Sequence, residues 1–501
     1  LEPLEDRMLL STVNWTITQA QSSVTLALPD QPFTIVDSGT TYNGIARMRN
    51  QGTSGTGGSW TVGNTANLSG TIATDTVWPA ANGPYSVTAN LTVASGATLT
   101  IQPGTTLYLG SGVNLTVANG GRLLAEGTET APIRFTRAPG TSTTWGGITV
   151  NGGPNSPETR IVYAHIEFNN STAIQSTDGT VFLANLTFGN TARQYVSLDR
   201  SSFVVQDCTF PATTGSFEPT HGSGGIKAGG RGIFLRNYFG AISGYNDTLD
   251  FTGGNRPGPI LQVIGNVFMG TGDDHLDLDS TDAWVEGNIF LHTHQNGSPD
   301  SASGVSGGSD NADTSQVTIL RNIFYNCDQA AMIKQGGFYT LYHNTIVRQT
   351  RQGGTDTDSG VICLADAGTA PGAGMYLEGN IIYDAEKLVR NPSNAVVTLT
   401  NNLMPFNWSG PGGGNSAADP LFKYIPAVTE TSNFTSWAQA QVMWDWFSLR
   451  PGSPARGSGP NGQDLGAGLQ SEISNLKFQR GVSISGEPLS PTPQTAATLT
   501  V

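Results

Sequence analysis

The segment 270–281, GTGDDHLDLDST, is rich in carboxylates, which it places at Asp273, Asp274, Asp277 and Asp279. Carboxylates this close repel one another, and each raises the pKa of the others unless a cation neutralises them. Hard oxygen ligands at this density suit Ca²⁺, and because their spacing differs from that of an EF-hand loop, the site must be assembled from neighbouring parts of the fold. The segment therefore predicts a calcium site, with a solvated acidic turn as the alternative.

Other charged residues stand among apolar neighbours in short strand-like segments: Lys227 in GGIKAGG, Asp250 in TLDFTGG and Lys334 in AMIKQGG. Successive residues of a strand point to opposite faces, so the charged residue faces outward when its apolar neighbours face inward. We expect Lys227, Asp250, Asp277 and Lys334 to form a column on one sheet face. Only 12% of the residues are charged, which makes such a column informative.

Histidines and arginines near these segments are candidates for contacts with a substrate. His275 lies within the acidic segment, and His292 and His294 precede an insertion rich in Ser, Gly and Asp at 295–315. His221 precedes the strand of Lys227 and is expected to line the same groove. An arginine can pair a substrate carboxylate through two hydrogen bonds. The candidates for this role are Arg231, which is also a catalytic candidate, and Arg348.

A recurrent hexapeptide, apolar-x-x-Asn-apolar-Phe/Ile, indicates which elements position these residues. It occurs around Asn185, Asn237, Asn266, Asn288, Asn322, Asn344, Asn380 and Asn402, with variants at His165 and Asp207. Its base period is close to 22 residues, which matches one coil of a parallel β-helix. We predict an all-β, right-handed parallel β-helix in which each Asn occupies a corner, tolerates left-handed geometry and bonds to the next coil. A leucine-rich horseshoe and a β-propeller do not fit the motif or the period.

The chain divides into three predicted regions. Residues 1–75 are expected to form a capping β segment, 76–470 the β-helix, and 471–501 a Pro/Thr-rich tail or linker to a further domain. Trp437, Trp444 and Trp446 are expected to cap the core, with a sugar-binding platform as the alternative. Residues 1–11, LEPLEDRMLLS, resemble a motif near the start of large exported bacterial proteins. We therefore expect a monomeric, secreted or cell-surface chain that is part of a larger multidomain protein.

Composition excludes several functional classes. The net charge of −14 and the pI of about 4.8 leave no basic stripe for nucleic acid. No apolar run is long enough to span a membrane. The three cysteines, Cys208, Cys327 and Cys363, lack the paired spacing of a zinc site and are expected to be buried thiols.

The chain resembles pectate-lyase-like β-helix proteins, and a few residues within 220–340 resemble the family-nine pectate lyases. The run Asp273-Asp274-x-x-Asp277, with Asp250 one coil earlier, is similar to the calcium-binding aspartates of that family. Ile333-Lys334-Gln335-Gly336-Gly337 looks like the strand that bears its Brønsted base. Lys334 departs from the pattern because it lies two coils beyond Asp277, where the family has the lysine in the next coil. Lys227 is therefore a competing candidate for the base.

This resemblance implies a calcium-dependent lyase that cleaves an acidic, uronate-containing polysaccharide by β-elimination. The C5 proton of a uronate becomes more acidic when its carboxylate is neutralised by Ca²⁺, and a lysine then removes the proton. A bridging cation also explains how an acidic protein could bind a polyanion. Two alternatives stay open. One is a glycoside hydrolase that uses two of the aspartates at 250, 274, 277 and 279. The other is a non-catalytic adhesive or structural module, which the export-like motif and the displaced lysine favour.

Overall fold

The computed structural model describes residues 31–37, 40–46 and 64–468, apart from 214, 216, 295–301, 310–312, 350–359, 366–367 and 392–394. Most of the predicted capping segment and all of the predicted tail at 471–501 lie outside the described residues. Within 31–46, strands β1 (Gln31–Asp37) and β2 (Thr40–Ala46) form an antiparallel hairpin.

The rest of the described chain is a parallel β-solenoid, which confirms the predicted fold. Four long strands bend from one sheet into another: β3 (Asn64–Ile72), β5 (Tyr85–Val93), β12 (Thr159–Glu167) and β14 (Thr180–Gly189). Because β3 pairs in parallel with β5, parallel stacking already begins in the region predicted as the cap.

Three parallel sheets run the length of the solenoid, and each coil contributes one strand to each sheet. The first sheet contains β8 (Leu115–Val117), β11 (Ile148–Asn151), β13 (Ile174–Thr177), β15 (Val196–Asp199), β18 (Thr220–Gly222), β21 (Leu249–Phe251), β24 (Leu276–Asp277), β27 (Ser303–Gly307), β30 (Gln329–Ile333), β33 (Ile362–Cys363) and β36 (Val389–Arg390). The second contains β4 (Thr76–Trp78), β6 (Thr98–Ile101), β9 (Arg122–Glu126), β16 (Ser202–Gln206), β19 (Gly232–Leu235), β22 (Leu261–Ile264), β25 (Ala283–Glu286), β28 (Gln316–Leu320), β31 (Phe338–Tyr342), β34 (Gly374–Glu378), β37 (Val396–Thr400) and β38 (Gly412–Gly413). The third contains β7 (Thr106–Leu109), β10 (Ile133–Thr136), β17 (Thr209–Phe210), β20 (Tyr238–Phe239), β23 (Val267–Phe268), β26 (Ile289–Leu291), β29 (Ile323–Tyr325), β32 (Thr345–Val347) and β35 (Ile381–Tyr383).

The phenylalanines of the hexapeptide form a stacked row in the core. The rings of Phe210, Phe239, Phe268, Phe290 and Phe324 follow one another at centroid distances of 4.6, 4.8, 4.9 and 4.8 Å. This spacing equals the distance between hydrogen-bonded strands, so like residues of successive coils must meet. The aromatic row therefore holds the coils in one register.

The asparagines form a second row, as predicted. From Asn237 through Asn266, Asn288, Asn322, Asn344, Asn380 and Asn402, the side-chain oxygen of each asparagine after the first accepts hydrogen bonds from the backbone and side-chain N–H groups of the one before it. The left-handed corner is the residue before each asparagine, such as Arg236 and Arg321, which corrects the predicted geometry. Asn185 is itself in this corner conformation and stands one residue out of register with the row.

The C-terminal helices cover the side of the solenoid. Helices α1 (Val428–Thr431), α2 (Trp437–Ala440) and α3 (Val442–Trp446) pack with the outer residues of the third sheet from several successive coils. The indole of Trp437 donates to the carbonyl of Gly265 at 2.6 Å. The prediction that the tryptophans cap the core is wrong in its location, because they cover the side of the solenoid and not its end. Two single-turn 3₁₀ helices, Ala80–Asn82 and Pro460–Gly462, complete the described helical structure.

Two further predictions concern the cysteines and the membrane. All three thiols are buried and free, as expected. Of the helices in the described ranges, none has the length and apolar character needed to cross a bilayer.

We predict that Asn322→Ala lowers the free energy of unfolding by about 3–5 kcal/mol, because it leaves several buried polar groups unpaired. These include the backbone N–H of Asn288 and the carbonyl of Val285. Equilibrium denaturation measures the change. The control is Asn433→Ala, which removes only an exposed bond to Thr429 and should cost less than about 0.5 kcal/mol. Equal effects of the two substitutions would contradict a structural role for the row.

Candidate functional site

One outward row of the first sheet brings functional side chains together. In register, successive coils place Ser197, His221, Asp250, Asp277, Ser306 and Met332 above one another. Asp250 and Asp277 occupy adjacent coils, as the sequence predicted. The predicted column is wrong at both lysines. His221, and not Lys227, pairs in register with Asp250. Lys334 lies two residues after Met332, which is the member of the row in that coil.

Asp250, Asp277 and Met332 of this row line a cleft of about 310 Å³. The cleft is lined by six carboxylates, one amine and three other side chains: Glu218, Asp247, Asp250, Asp273, Asp274, Asp277, Lys334, Tyr245, Asn246 and Met332. We call it the acidic cleft. Asp279 is not part of the lining, although one of its carboxylate oxygens is buried without a hydrogen-bond partner.

The turns before the strands fix the buried carboxylates of the acidic cleft. The backbone N–H of Asp274 donates to Asp247 Oδ1 at 3.0 Å, and the N–H of Ser303 donates to Asp274 Oδ1 at 2.8 Å. Each carboxylate is thus held by the coil that follows it. The Thr271 hydroxyl also donates to the carbonyl of Asn246, which ties the turn of Asp247 to the same neighbouring coil.

Burial and mutual repulsion dominate the electrostatics of the acidic cleft. Burial, followed by the charge of Asp277, raises the pKa of Asp250 to about 8 and that of Asp274 to about 7. Burial raises the pKa of Asp277 to about 6 and that of Asp247 well above its usual range. The ammonium of Lys334 opposes the shift at Asp250, Asp274 and Asp277, which places its charge near all three. The acidic cleft is therefore short of positive charge.

Two groups of side chains in the cleft have donor atoms close enough to share a cation. Asp247, Asp273 and Asp274 form one group, and Glu218, His221 and Asp250 form the other, with all donor atoms of a group within 4.8 Å of one another. The first group offers only carboxylate oxygens, the ligand type that Ca²⁺ prefers. Asp277 Oδ1 is buried beside them without a hydrogen-bond partner, as expected of an oxygen that needs a cation. The residues present therefore fit calcium.

Lys227 and Arg231 lie away from the acidic cleft. The ammonium of Lys227 donates to the carbonyl of Gly153 at 2.5 Å and approaches the hydroxyl of Thr180. Arg231 immediately precedes β19 of the second sheet, where its backbone N–H donates to Ser202. Neither residue lines the cleft. The expectation that Lys227 shares the face of Asp250 is therefore wrong.

His275 is a core residue, so its predicted contact with substrate is wrong. The side chain is fully buried, and its ring packs against Phe268 and Phe290 at centroid distances of 5.4 and 5.9 Å. Its two ring nitrogens bond to the Thr248 hydroxyl and the Leu291 carbonyl. Burial lowers the pKa of His275 to about 3, so the ring is neutral.

The other predicted substrate contacts also have structural partners outside the cleft. His292 bonds to Asn326 and to Thr431 of α1, and His294 bonds to Asn326 and at 2.7 Å to Asp328. Arg348 donates to the Tyr325 hydroxyl and pairs with Asp384. The lining of the acidic cleft includes none of these three. His221 is also absent from the lining, but it stands in register between Ser197 and Asp250.

Sequence reasoning missed Glu218, Tyr245 and Asp247. A signal for two of them exists, because at three successive positions of the outward row the side chain three residues earlier lines the cleft. The pairs are Glu218 with His221, Asp247 with Asp250, and Asp274 with Asp277. This acid-x-x-ligand spacing recurs once per coil, but the varying coil lengths hide it.

The family described as "Pectate-lyase like beta helix domain" matches residues 70–361. No curated protein matches the chain.

Among solved structures, the chain is similar to the pectate lyase Pel9A, at 14% identity and a TM-score of 0.44, over 75% of this chain and 89% of that one. It is also similar to the Dettilon tailspike protein gp208, at 14% identity and a TM-score of 0.28, over 71% and 62% of the two chains. A tailspike variant of E. coli bacteriophage HK620 in complex with a pentasaccharide gives 13% identity and a TM-score of 0.25, over 66% and 71%. At these identities the likeness concerns the fold alone.

We predict that the metal-free chain loses stability as the pH rises from about 4 to about 8. Folding raises the pKa values of Asp250, Asp274 and Asp277 to about 8, 7 and 6, so the folded chain retains protons that the unfolded chain has released. Each such proton makes the free energy of unfolding fall with rising pH until the pH passes the pKa of that carboxyl group in the folded chain. Melting temperatures across the pH range, after chelation, measure the slope.

Asp274→Asn should flatten this slope, as should added Ca²⁺, which compensates the same charges. Asp445→Asn, on the exposed surface of α3, is the matched control and should leave the slope as it is. A metal-free chain whose stability increases over this range would contradict the electrostatic account of the cleft.

Proposed function

Because the chain belongs to the family of pectate-lyase-like β-helix domains, we propose that it cleaves an acidic, uronate-containing polysaccharide by calcium-dependent β-elimination. The observation that carries this proposal is the acidic cleft itself, in which six carboxylates surround a single lysine. Such a polymer lies outside the cell, so the proposal implies an exported protein.

Asp247, Asp273 and Asp274, with Asp277 beside them, are the residues that would hold calcium. The bound ion would supply Lewis-acid neutralisation of the substrate carboxylate, which makes the C5 proton easier to remove. Backbone N–H groups orient Asp247 and Asp274, and this arrangement is set before a ligand arrives. Pre-set carboxylates bind a cation without a further cost in ordering side chains.

Lys334 is the proposed base because, among the described residues that line the cleft, it alone carries an amine. Its neutral amine would take the C5 proton, the C4–O bond would break, a C4=C5 double bond would form, and the departing oxygen would gain a proton from solvent. The backbone N–H of Lys334 donates to the carbonyl of Gly307, which anchors it on the rim of the first sheet.

Small residues explain how a lysine two coils beyond Asp277 reaches the cleft. The intervening coil carries Gly307 and Gly308, and a Cβ atom added to Gly308 would lie 2.9 Å from the Cβ of Lys334. A larger residue at position 308 would therefore displace the lysine. The glycine leaves space for the lysine stem to approach the charges of Asp250 and Asp277.

A glycoside hydrolase on the same site is the second candidate. The observation in its favour is the carboxyl group of Asp250, whose pKa near 8 keeps it protonated at neutral pH, as a general acid requires. The products distinguish the two reactions, because elimination leaves a conjugated double bond that absorbs ultraviolet light and hydrolysis does not.

We predict that Lys334→Ala lowers the rate of pectate cleavage in the presence of Ca²⁺ by about 10²–10⁴-fold, which is the usual contribution of a proton-transferring group. Ultraviolet absorbance of the unsaturated product measures the rate, and circular dichroism checks the fold. Lys227→Ala is the matched control and should retain activity, because its ammonium bonds to Gly153 outside the cleft.

Pectate, alginate and glycosaminoglycans should be compared as substrates, with and without Ca²⁺. Retained activity in Lys334→Ala together with its loss in Lys227→Ala would transfer the base to Lys227. Binding of a polyuronate by the wild-type chain without any cleavage would instead favour the non-catalytic module.

A further inference from the structure

The second group of the acidic cleft, Glu218, His221 and Asp250, has a chemistry of its own. We infer that these three side chains form a second cation site, selective for an imidazole-binding divalent metal such as Mn²⁺ or Zn²⁺, beside the proposed calcium site. The two groups have no residue in common, and Glu218 and Asp250 of the second group line the same cleft as the first group, so the two ions would bind side by side.

The backbone holds this site on rigid elements. His221 and Asp250 occupy the same register position of the adjacent strands β18 and β21, between residues that pair on both sides. Glu218 stands three residues before His221, in a turn whose next residue, Pro219, accepts hydrogen bonds from the backbone N–H groups of Tyr195 and Val196. Ligands held by a sheet and a bonded turn stay in place when the ion is absent.

The distances suit a shared ion better than a direct hydrogen bond. His221 Nε2 lies 3.5 Å from Asp250 Oδ2, beyond the usual range of about 2.7–3.2 Å for a hydrogen bond. Two ligand atoms, each about 2.1 Å from one metal ion at a tetrahedral angle, are about 3.4 Å apart. All three side chains are only partly buried, which leaves access for an ion and for further ligands.

The ligand types determine which metal is expected. An imidazole with two carboxylates suits Mn²⁺, Zn²⁺ or another first-row ion, whereas Ca²⁺ prefers oxygen ligands alone. The group of Asp247, Asp273 and Asp274 has no such nitrogen donor. We therefore expect the all-oxygen group to bind Ca²⁺ and the group with His221 to bind Mn²⁺ or Zn²⁺.

The carboxyl groups of the acidic cleft also favour a second ion. Six carboxyl groups line the cleft, and the proposed calcium site uses four of them, which leaves Glu218 and Asp250 for a second ion. Buried charges require compensation, and a second divalent ion beside Asp250 would supply most of it.

The experiment is a titration of the metal-free full-length chain with Mn²⁺ in the presence of excess Ca²⁺, which should occupy the all-oxygen group. We expect one tightly bound Mn²⁺ ion per chain, with a nitrogen signal from imidazole in pulsed electron paramagnetic resonance spectra. His221→Ala and His221→Gln should both remove the nitrogen signal and weaken Mn²⁺ binding at least about tenfold, which corresponds to about 1.4 kcal/mol. Calorimetry with Ca²⁺ should be unchanged in both variants.

His294→Ala is the matched control, because its ring bonds to Asp328 and Asn326 outside the cleft, and it should retain the signal. Asp273→Asn should weaken Ca²⁺ binding and leave the nitrogen signal of Mn²⁺ intact. Failure to bind Mn²⁺ in the presence of Ca²⁺, or a nitrogen signal that survives both changes at His221, would overturn the inference. Neither readout depends on cleavage, so the second site and the proposed lyase activity can fail separately.

Discussion

The parallel register of the coils is the constraint on which the rest of this molecule depends. Stacked strands bring equivalent side chains to within about 5 Å of one another, whatever their chemistry. In the core this closeness is favourable, and it produces the row of phenylalanines from Phe210 to Phe324 and the asparagine row that begins at Asn237. On the outer face of the first sheet the same constraint places Asp250 against Asp277.

The acidic cleft is the unfavourable consequence of that register. Neighbouring carboxylates there cannot separate without breaking the ladder that orders the fold, so they either retain protons or bind cations. The raised pKa values of Asp250, Asp274 and Asp277 express this conflict in a chain without metal. The acidic cleft is thus a local cost to stability, at a site whose carboxyl groups are placed to bind cations.

The period of the hexapeptide was sufficient to predict the fold, because a repeated Asn and a repeated Phe require like residues to stack. It was also sufficient to place Asp250 one coil before Asp277. The period did not place Lys227 correctly, because the sequence does not show that the strand β18 ends at Gly222, five residues before this lysine. His275 was misjudged for a different reason: it lies just before β24, where strict alternation would give it the outward face of Asp277, but its ring is buried beside Phe268.

Contacts between turns were beyond the reach of sequence reasoning. The bond from the Asp274 backbone to Asp247 and the space that Gly308 leaves for Lys334 depend on neighbouring coils of unequal length. The tryptophans of α2 and α3 were recognised as packing residues, but the surface they cover depends on the path of the chain after β38.

The central claim is that the acidic cleft cleaves a polyuronate by elimination. Its most direct test is the mass of the products formed from an oligouronate of defined length in the presence of Ca²⁺. The account predicts two products whose masses sum to that of the substrate, one with an unsaturated sugar at its non-reducing end. Products that together exceed the substrate by one water molecule would contradict it.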